Sequence, residues 1–92
     1  MKITIKAFAR FREIFGSEKT EEMAEGSTLA ALLDNITTGN QTARRALFED
    51  NGALRGYVIL MKNRKRVNRE EIAEITLADG DEIALYPPVA GG

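Results

Sequence analysis

Apolar and polar residues alternate from the second residue onward: Ile3, Ile5 and Ala7 fall on one side of an extended chain, Lys2, Thr4 and Lys6 on the other. A period of two predicts a strand with one buried face. The spacing then changes. Phe11, Ile14 and Phe15 stand at i, i+3 and i+4 ahead of Gly16, which predicts a short helical turn closed by glycine. Lys19 to Met23 alternates weakly and reads as a second strand, returning antiparallel to the first. Glu25-Gly26 turns the chain toward Ser27 or Thr28, either of which can accept from the free amides that open a helix. Leu29, Leu32, Leu33 and Ile36 are that helix's apolar stripe. Thr37-Thr38-Gly39-Asn40 interrupts it, and a second helix is predicted from Gln41 to about Glu49, with Ala43, Ala46 and Leu47 inward.

Tyr57 to Met61 is the most strand-like run, and it is apolar at every position. Its facing therefore rests on Lys62, which shares a side with Val58 and Leu60. On that reading Tyr57, Ile59 and Met61 point to the core, while Val58 and Leu60 point outward. Asn63-Arg64 offers a two-residue hairpin turn into Lys65-Arg66-Val67. Asn68 to Glu74 holds a helical turn, Ile75 and Leu77 anchor the core, and Asp79-Gly80-Asp81 turns the chain into a last strand, Ile83 to Tyr86. There Ala84 and Tyr86 lie opposite the buried Ile83 and Leu85. Val58, Leu60, Ala84 and Tyr86 thus form a candidate apolar docking patch. Pro87 and Pro88 end the strand, since neither has an amide to donate. The pattern is α+β: a mixed sheet of four to five strands with two helices packed on one face. Residues 1–86 make one domain, and residues 87–92 an extended, flexible C-terminal tail.

Composition narrows the function. The chain has 92 residues, with 13 Lys+Arg against 14 Asp+Glu, so its overall charge gives no case for nucleic acid or an anionic membrane as partner. Cysteine and histidine are absent. No thiol nucleophile, imidazole base, disulfide or zinc cluster can be built, and any sulfur chemistry must draw its sulfur from elsewhere. Glu13, Glu21, Glu22, Glu70 and Glu71 do not converge as an acid/base pair, and Asp79 and Asp81 flank Gly80 as turn formers, with no metal expected. Lys62, Arg64, Lys65, Arg66 and Arg69 are a basic cluster, read as solvated hairpin charge that discourages edge aggregation. The alternating N-terminus is a strand and no leader, and no run is long enough to span a membrane; a cytoplasmic protein is expected.

The end of the chain carries the chemistry. Pro87-Pro88-Val89-Ala90 precedes Gly91-Gly92. Glycine lacks a Cβ, so two of them pass through a channel too narrow for side chains and present a bare carboxylate beyond it. The prolines favour extended geometry, and six residues from Pro87 to Gly92 reach roughly 20 Å. Lys2, Lys6, Lys19, Lys62 and Lys65 are available acceptors if such a terminus is joined to another copy.

Phe8-Ala9-Arg10-Phe11-Arg12-Glu13, and Leu77 through Gly92 with its Asp-Gly-Asp-Glu, Pro-Pro and Gly-Gly, resemble the small subunit of molybdopterin synthase (MoaD) and its ubiquitin-like relatives. The thiamine-pathway sulfur carriers (ThiS) share the terminal glycines but look less like Pro87-Pro88, and small archaeal modifier proteins resemble the chain about as well as MoaD. The resemblance implies a β-grasp fold with the last strand central and parallel to the first. It implies that a ubiquitin-activating-type enzyme adenylates Gly92, using ATP with Mg, while this chain itself binds no cofactor and catalyses nothing. The product is a thiocarboxylate delivered to a larger molybdopterin synthase subunit, or an amide on a target-protein lysine. A plain interaction domain without tail chemistry is the third reading.

Overall fold

The computed structural model describes residues 1–88. Strand β1 (Lys2–Ala7) leads into helix α1 (Arg10–Phe15) and strand β2 (Glu18–Glu22). Helices α2 (Leu29–Thr37) and α3 (Gln41–Leu47) follow. Strands β3 (Ile59–Lys62) and β4 (Lys65–Val67), a 3-10 turn (Arg69–Glu71) and strand β5 (Glu82–Tyr86) complete the order. The five strands form one mixed sheet in the order β2-β1-β5-β3-β4. β5 lies at its centre, parallel to β1 with Ile5 beside Ile83, and antiparallel to β3 with Leu60 beside Leu85. This is the β-grasp arrangement that the resemblance implied.

Local chemistry accounts for the element boundaries. Thr28 is the cap of α2, and its hydroxyl accepts from the Ala31 amide at 3.1 Å. Asn40 does the same for α3, accepting from Ala43 at 3.0 Å. Asn63 and Arg64 both take positive φ, 50° and 70°, which gives a tight hairpin the right-handed twist of its strands. The helices are three, not two, because the turn after β1 is long enough to be a helix of its own. Phe11, Leu29, Leu32, Leu33, Ala43 and Leu47 all join Ile3, Ile5, Leu60, Ile83 and Leu85 in one core. The helices therefore cover a single face of the sheet and leave the other open.

One face assignment is corrected. Val58 is 5% exposed and Leu60 1%, both inside the core, whereas Ile59 and Met61 are half-buried and Tyr57 is 39% exposed. Tyr57, Ile59 and Met61 are the outward residues. Lys62 misled because it stands where the sheet ends. It pairs with Ile83 on the core side, and its ammonium leaves the apolar layer to lie 3.7 Å from an Asp81 carboxylate oxygen.

The Asp79-Gly80-Asp81 turn binds strands, as its sequence suggested. Asp79 Oδ1 accepts from the Lys2 amide at 2.7 Å, the Gly80 amide donates to the Lys2 carbonyl at 2.8 Å, and Asp81 Oδ2 accepts from the Ala78 amide at 2.8 Å.

Candidate functional site

β5 carries the chain from the Asp81 turn through the middle of the sheet and out between the end of β1 and the start of β3. Its outward residues are Ala84 and Tyr86. Met61 stands beside Ala84 and Ile59 beside Tyr86, so the side chains of two adjacent strands meet on the uncovered face. Ala84, only 6% exposed, is covered there by its neighbours and lies outside the core cluster.

Phe8 completes the patch. Its amide donates to the Leu85 carbonyl at 3.1 Å, continuing the β1–β5 ladder, and its ring stacks on Tyr86 with centroids 4.3 Å apart and planes 2° from parallel. The turn that follows fixes it. The Phe11 amide donates to the Phe8 carbonyl at 3.1 Å, and between them Ala9 is held at φ 52°, ψ −131°. Arg10 leaves that turn with its guanidinium carbon 5.6 Å from the Tyr57 ring centroid, a cation–π contact at the margin of the patch. Lys6 and Glu82 form a 3.1 Å ion pair on another margin, and Arg66 stands across from Met61. The result is an apolar centre of Phe8, Ile59, Met61, Ala84 and Tyr86 with charge at its borders, the anatomy of a protein-binding surface.

Of the patch expected from sequence, Ala84 and Tyr86 lie on this face, and Val58 and Leu60 lie behind it in the core. Phe8, Ile59 and Met61 were missed. For Phe8 a signal existed: the alternation of β1, carried one step further, puts position 8 on the side of Lys2, Thr4 and Lys6. Ile59 and Met61 had none, since every residue from Tyr57 to Met61 is apolar and Lys62, the one polar guide, pointed to the wrong side. Pro87 is half-buried and Pro88 exposed at the root of the tail. Val89, Ala90, Gly91 and Gly92 lie outside the described residues.

Among the described residues no group of three or more His, Cys, Asp or Glu side chains is placed to hold a metal. No helix among them is long and apolar enough to cross a membrane. Lys6, Lys19 and Lys62 are ion-paired, with Glu82, Glu21 and Asp81, while Lys2 and Lys65 make no ion pair among the described residues.

A profile described as the ThiS family matches residues 5–92, through both terminal glycines. The chain belongs to the ThiS family. It is 36% identical over 90 residues to the molybdopterin synthase sulfur carrier subunit of Escherichia coli K12, covering 98% of this chain and 99% of that protein. The crystal structure of SAMP1 from Haloferax volcanii superposes with a TM-score of 0.86 at 27% identity, covering all of both chains. A chain of the Amycolatopsis orientalis BexX/CysO complex superposes at 0.73 with 26% identity, covering 98% of this chain and 99% of that one. Ubiquitin-like sulfur carriers and modifiers are thus the proteins this family member is similar to.

Proposed function

We propose that this ThiS-family protein is a sulfur carrier that works through its own C-terminal carboxylate. The observation that carries the reading is the coincidence of a family match running through Gly92 with a central strand that delivers Pro87 and Pro88 beside an uncovered apolar face. A carboxylate is a poor acyl donor, because oxide is a poor leaving group. A Gly92 oxygen attacks the α-phosphorus of ATP, pyrophosphate departs, and the resulting acyl-adenylate has AMP as its leaving group. A sulfide-level nucleophile then attacks the carbonyl carbon and displaces AMP, leaving a thiocarboxylate. The Mg, the cationic groups and the sulfur source belong to the activating enzyme, since phosphoryl transfer is mostly positioning and electrostatics.

The globular body serves recognition. Phe8, Ile59, Met61, Ala84 and Tyr86 dock on the ubiquitin-activating-type enzyme, and later on the larger synthase subunit that takes the sulfur into the molybdopterin dithiolene. Pro87, Pro88, Val89, Ala90 and Gly91 thread the partner's channel. Likeness to SAMP1 supports a second use of the same activated terminus, attachment of Gly92 to target-protein lysines.

Intact-mass measurement of the protein recovered from its own cells tests the first reading. A fraction heavier by the difference between sulfur and oxygen, located at Gly92 by fragmentation, is the expected result. Lysine peptides bearing a branched remnant of this chain's C-terminal tail, which runs from Glu70 to Gly92 after tryptic cleavage at Arg69, without any thiocarboxylate fraction, replace it by the second reading. Neither product, in cells where the protein is abundant and its terminus intact, overturns both.

A further inference from the structure

Independently of the tail, the basic cluster contains a cleft that shares only Arg66 with the border of the docking face. Gly56, Val58, Arg66, Val67, Asn68 and Arg69 enclose about 330 Å³ beside β4. Its apolar wall is the rim of the core: Val58 belongs to the core cluster and Val67 packs against it. The position of Arg69 is set by a glycine. A Cβ on Gly56 would come within 3.0 Å of Arg69 Nη1 and 3.4 Å of its guanidinium carbon, so the guanidinium lies over bare backbone at the cleft wall. Nη1 donates to the Leu54 carbonyl at 3.4 Å, which anchors the group and leaves Nε and Nη2 without an acceptor among the described residues.

Arg44 and Arg55 are ion-paired, with Asp34 and Glu49, but Arg66 and Arg69 make no ion pair among the described residues. Asn68 uses its Oδ1 to accept from the Glu70 amide at 3.1 Å, and its side-chain amide nitrogen has no acceptor among them. Arg69 also lines two adjoining hollows, one with Glu49 and Asp50 and one with Glu70, but none of these carboxylates lines this cleft. No carboxylate lines the cleft. Two guanidinium-bearing residues, an amide donor and an apolar wall make a setting suited to a compact dianion. A guanidinium fork fits carboxylate and phosphate alike, and a second cation nearby favours the more highly charged phosphate by simple Coulomb attraction.

We infer that this cleft binds a phosphate group, held by the Arg69 guanidinium together with Arg66 and Asn68, with Gly56 keeping the space in which Arg69 lies. Free phosphate and the terminal phosphate of a nucleotide present the same chemistry. The test is an NMR titration of the full-length, isotopically labelled protein at fixed ionic strength, with sodium phosphate, ATP and sodium acetate as separate probes. Saturable shifts with phosphate in the millimolar range, centred on the Gly56 and Asn68 amides and the Arg69 Nε–H, are expected. Replacing the guanidinium, Arg69→Gln, weakens binding by about tenfold, and Arg69→Lys, which keeps charge without the fork, by less. Gly56→Ala weakens it as well, with Arg69 displaced by the new methyl group. ATP binding at the same resonances, as tightly as phosphate or more so, identifies a nucleotide as one source; weaker ATP binding identifies free phosphate alone. Shifts that stay linear in phosphate, acetate binding as tight as phosphate, or an affinity unchanged in a folded Arg69→Gln variant would each overturn the site.

Discussion

Ala9 occupies a backbone conformation that ordinarily asks for glycine. Its φ of 52° and ψ of −131°, with the Phe8 carbonyl accepting from the Phe11 amide, are those of the first central residue of a type II′ turn. An L-residue there costs about 1–3 kcal/mol. Glycine removes that cost while adding about 0.5–1 kcal/mol of unfolded-state freedom. Ala9→Gly is therefore expected to stabilise the fold by about 1 kcal/mol in urea or thermal unfolding. A destabilised variant would show that the turn is relaxed as it stands. The strain has a local use, because this turn sets Phe8 flat on Tyr86. Nothing in the sequence announces it: alternation and helical spacing describe side chains, and an alanine at positive φ leaves no mark on either. Thr28 is the opposite case. A hydroxyl cap ahead of Leu29 was readable as either Ser27 or Thr28, the structure selects Thr28, and Thr28→Ala is expected to cost about 1 kcal/mol in the same measurements.

Strand β3 shows why some elements disclose their facing and others do not. In β1 lysine and threonine separate the apolar residues, so the buried side is explicit. β3 is apolar on both sides, because one face packs on helices and the other forms the proposed docking patch. Its only polar guide, Lys62, stands at the sheet end, where a lysine stem can follow the core side while its ammonium reaches Asp81. The paired strand settles the matter: Leu60 lies beside Leu85 and Met61 beside Ala84. Leu60→Asp then places a charge in the core and is expected to unfold the protein, since an unpaired buried carboxylate costs several kcal/mol or forces its own protonation. Met61→Asp, on the uncovered face, is expected to remain folded within about 1 kcal/mol. In the proposed carrier role it lowers kcat/KM for adenylation by about tenfold or more, as loss of a central interface contact does. Circular dichroism and an assay of ATP–pyrophosphate exchange with the activating enzyme separate the two effects. A Leu60→Asp protein that folds but fails to dock would restore the facing read from Lys62.

At the scale of the molecule, β5 has a structural end and an interaction end, and the two are separable. Glu82, its first residue, and Asp81 just before it are tied to β1 and to the turn that joins β3 and β4. The Thr4 amide donates to the Asp81 carbonyl at 2.9 Å, Asn63 Nδ2 donates to Asp81 Oδ1 at 2.9 Å, and the Glu82 amide donates to Asn63 Oδ1 at 2.9 Å. Burial alone would push the Asp81 carboxyl upward; hydrogen bonds from Asn63 and the Ala78 amide, with the Lys62 charge, outweigh it and hold the group below the usual aspartate value. A carboxyl so depressed stabilises the fold fully above its unfolded pKa of about 3.9, and that contribution is lost as pH falls through the lower, folded value. Asp81→Asn keeps the shape and removes the charge. At neutral pH it is expected to cost about 1–3 kcal/mol, the range for a hydrogen bond to a charged group. The gap from the natural protein should then begin to narrow below about pH 4 and close as the pH falls through the lower, folded pKa, where the native carboxyl takes up its proton. Urea unfolding of both proteins across the acid range measures this, and a gap constant with pH would assign the cost to packing. Because Phe8, Tyr86 and Pro87 lie at the far end of the strand, the folded variant at neutral pH is expected to be adenylated at the natural rate. Slower adenylation would mean that the Asp81 turn governs the outlet of the chain as well as the end of the sheet it ties together.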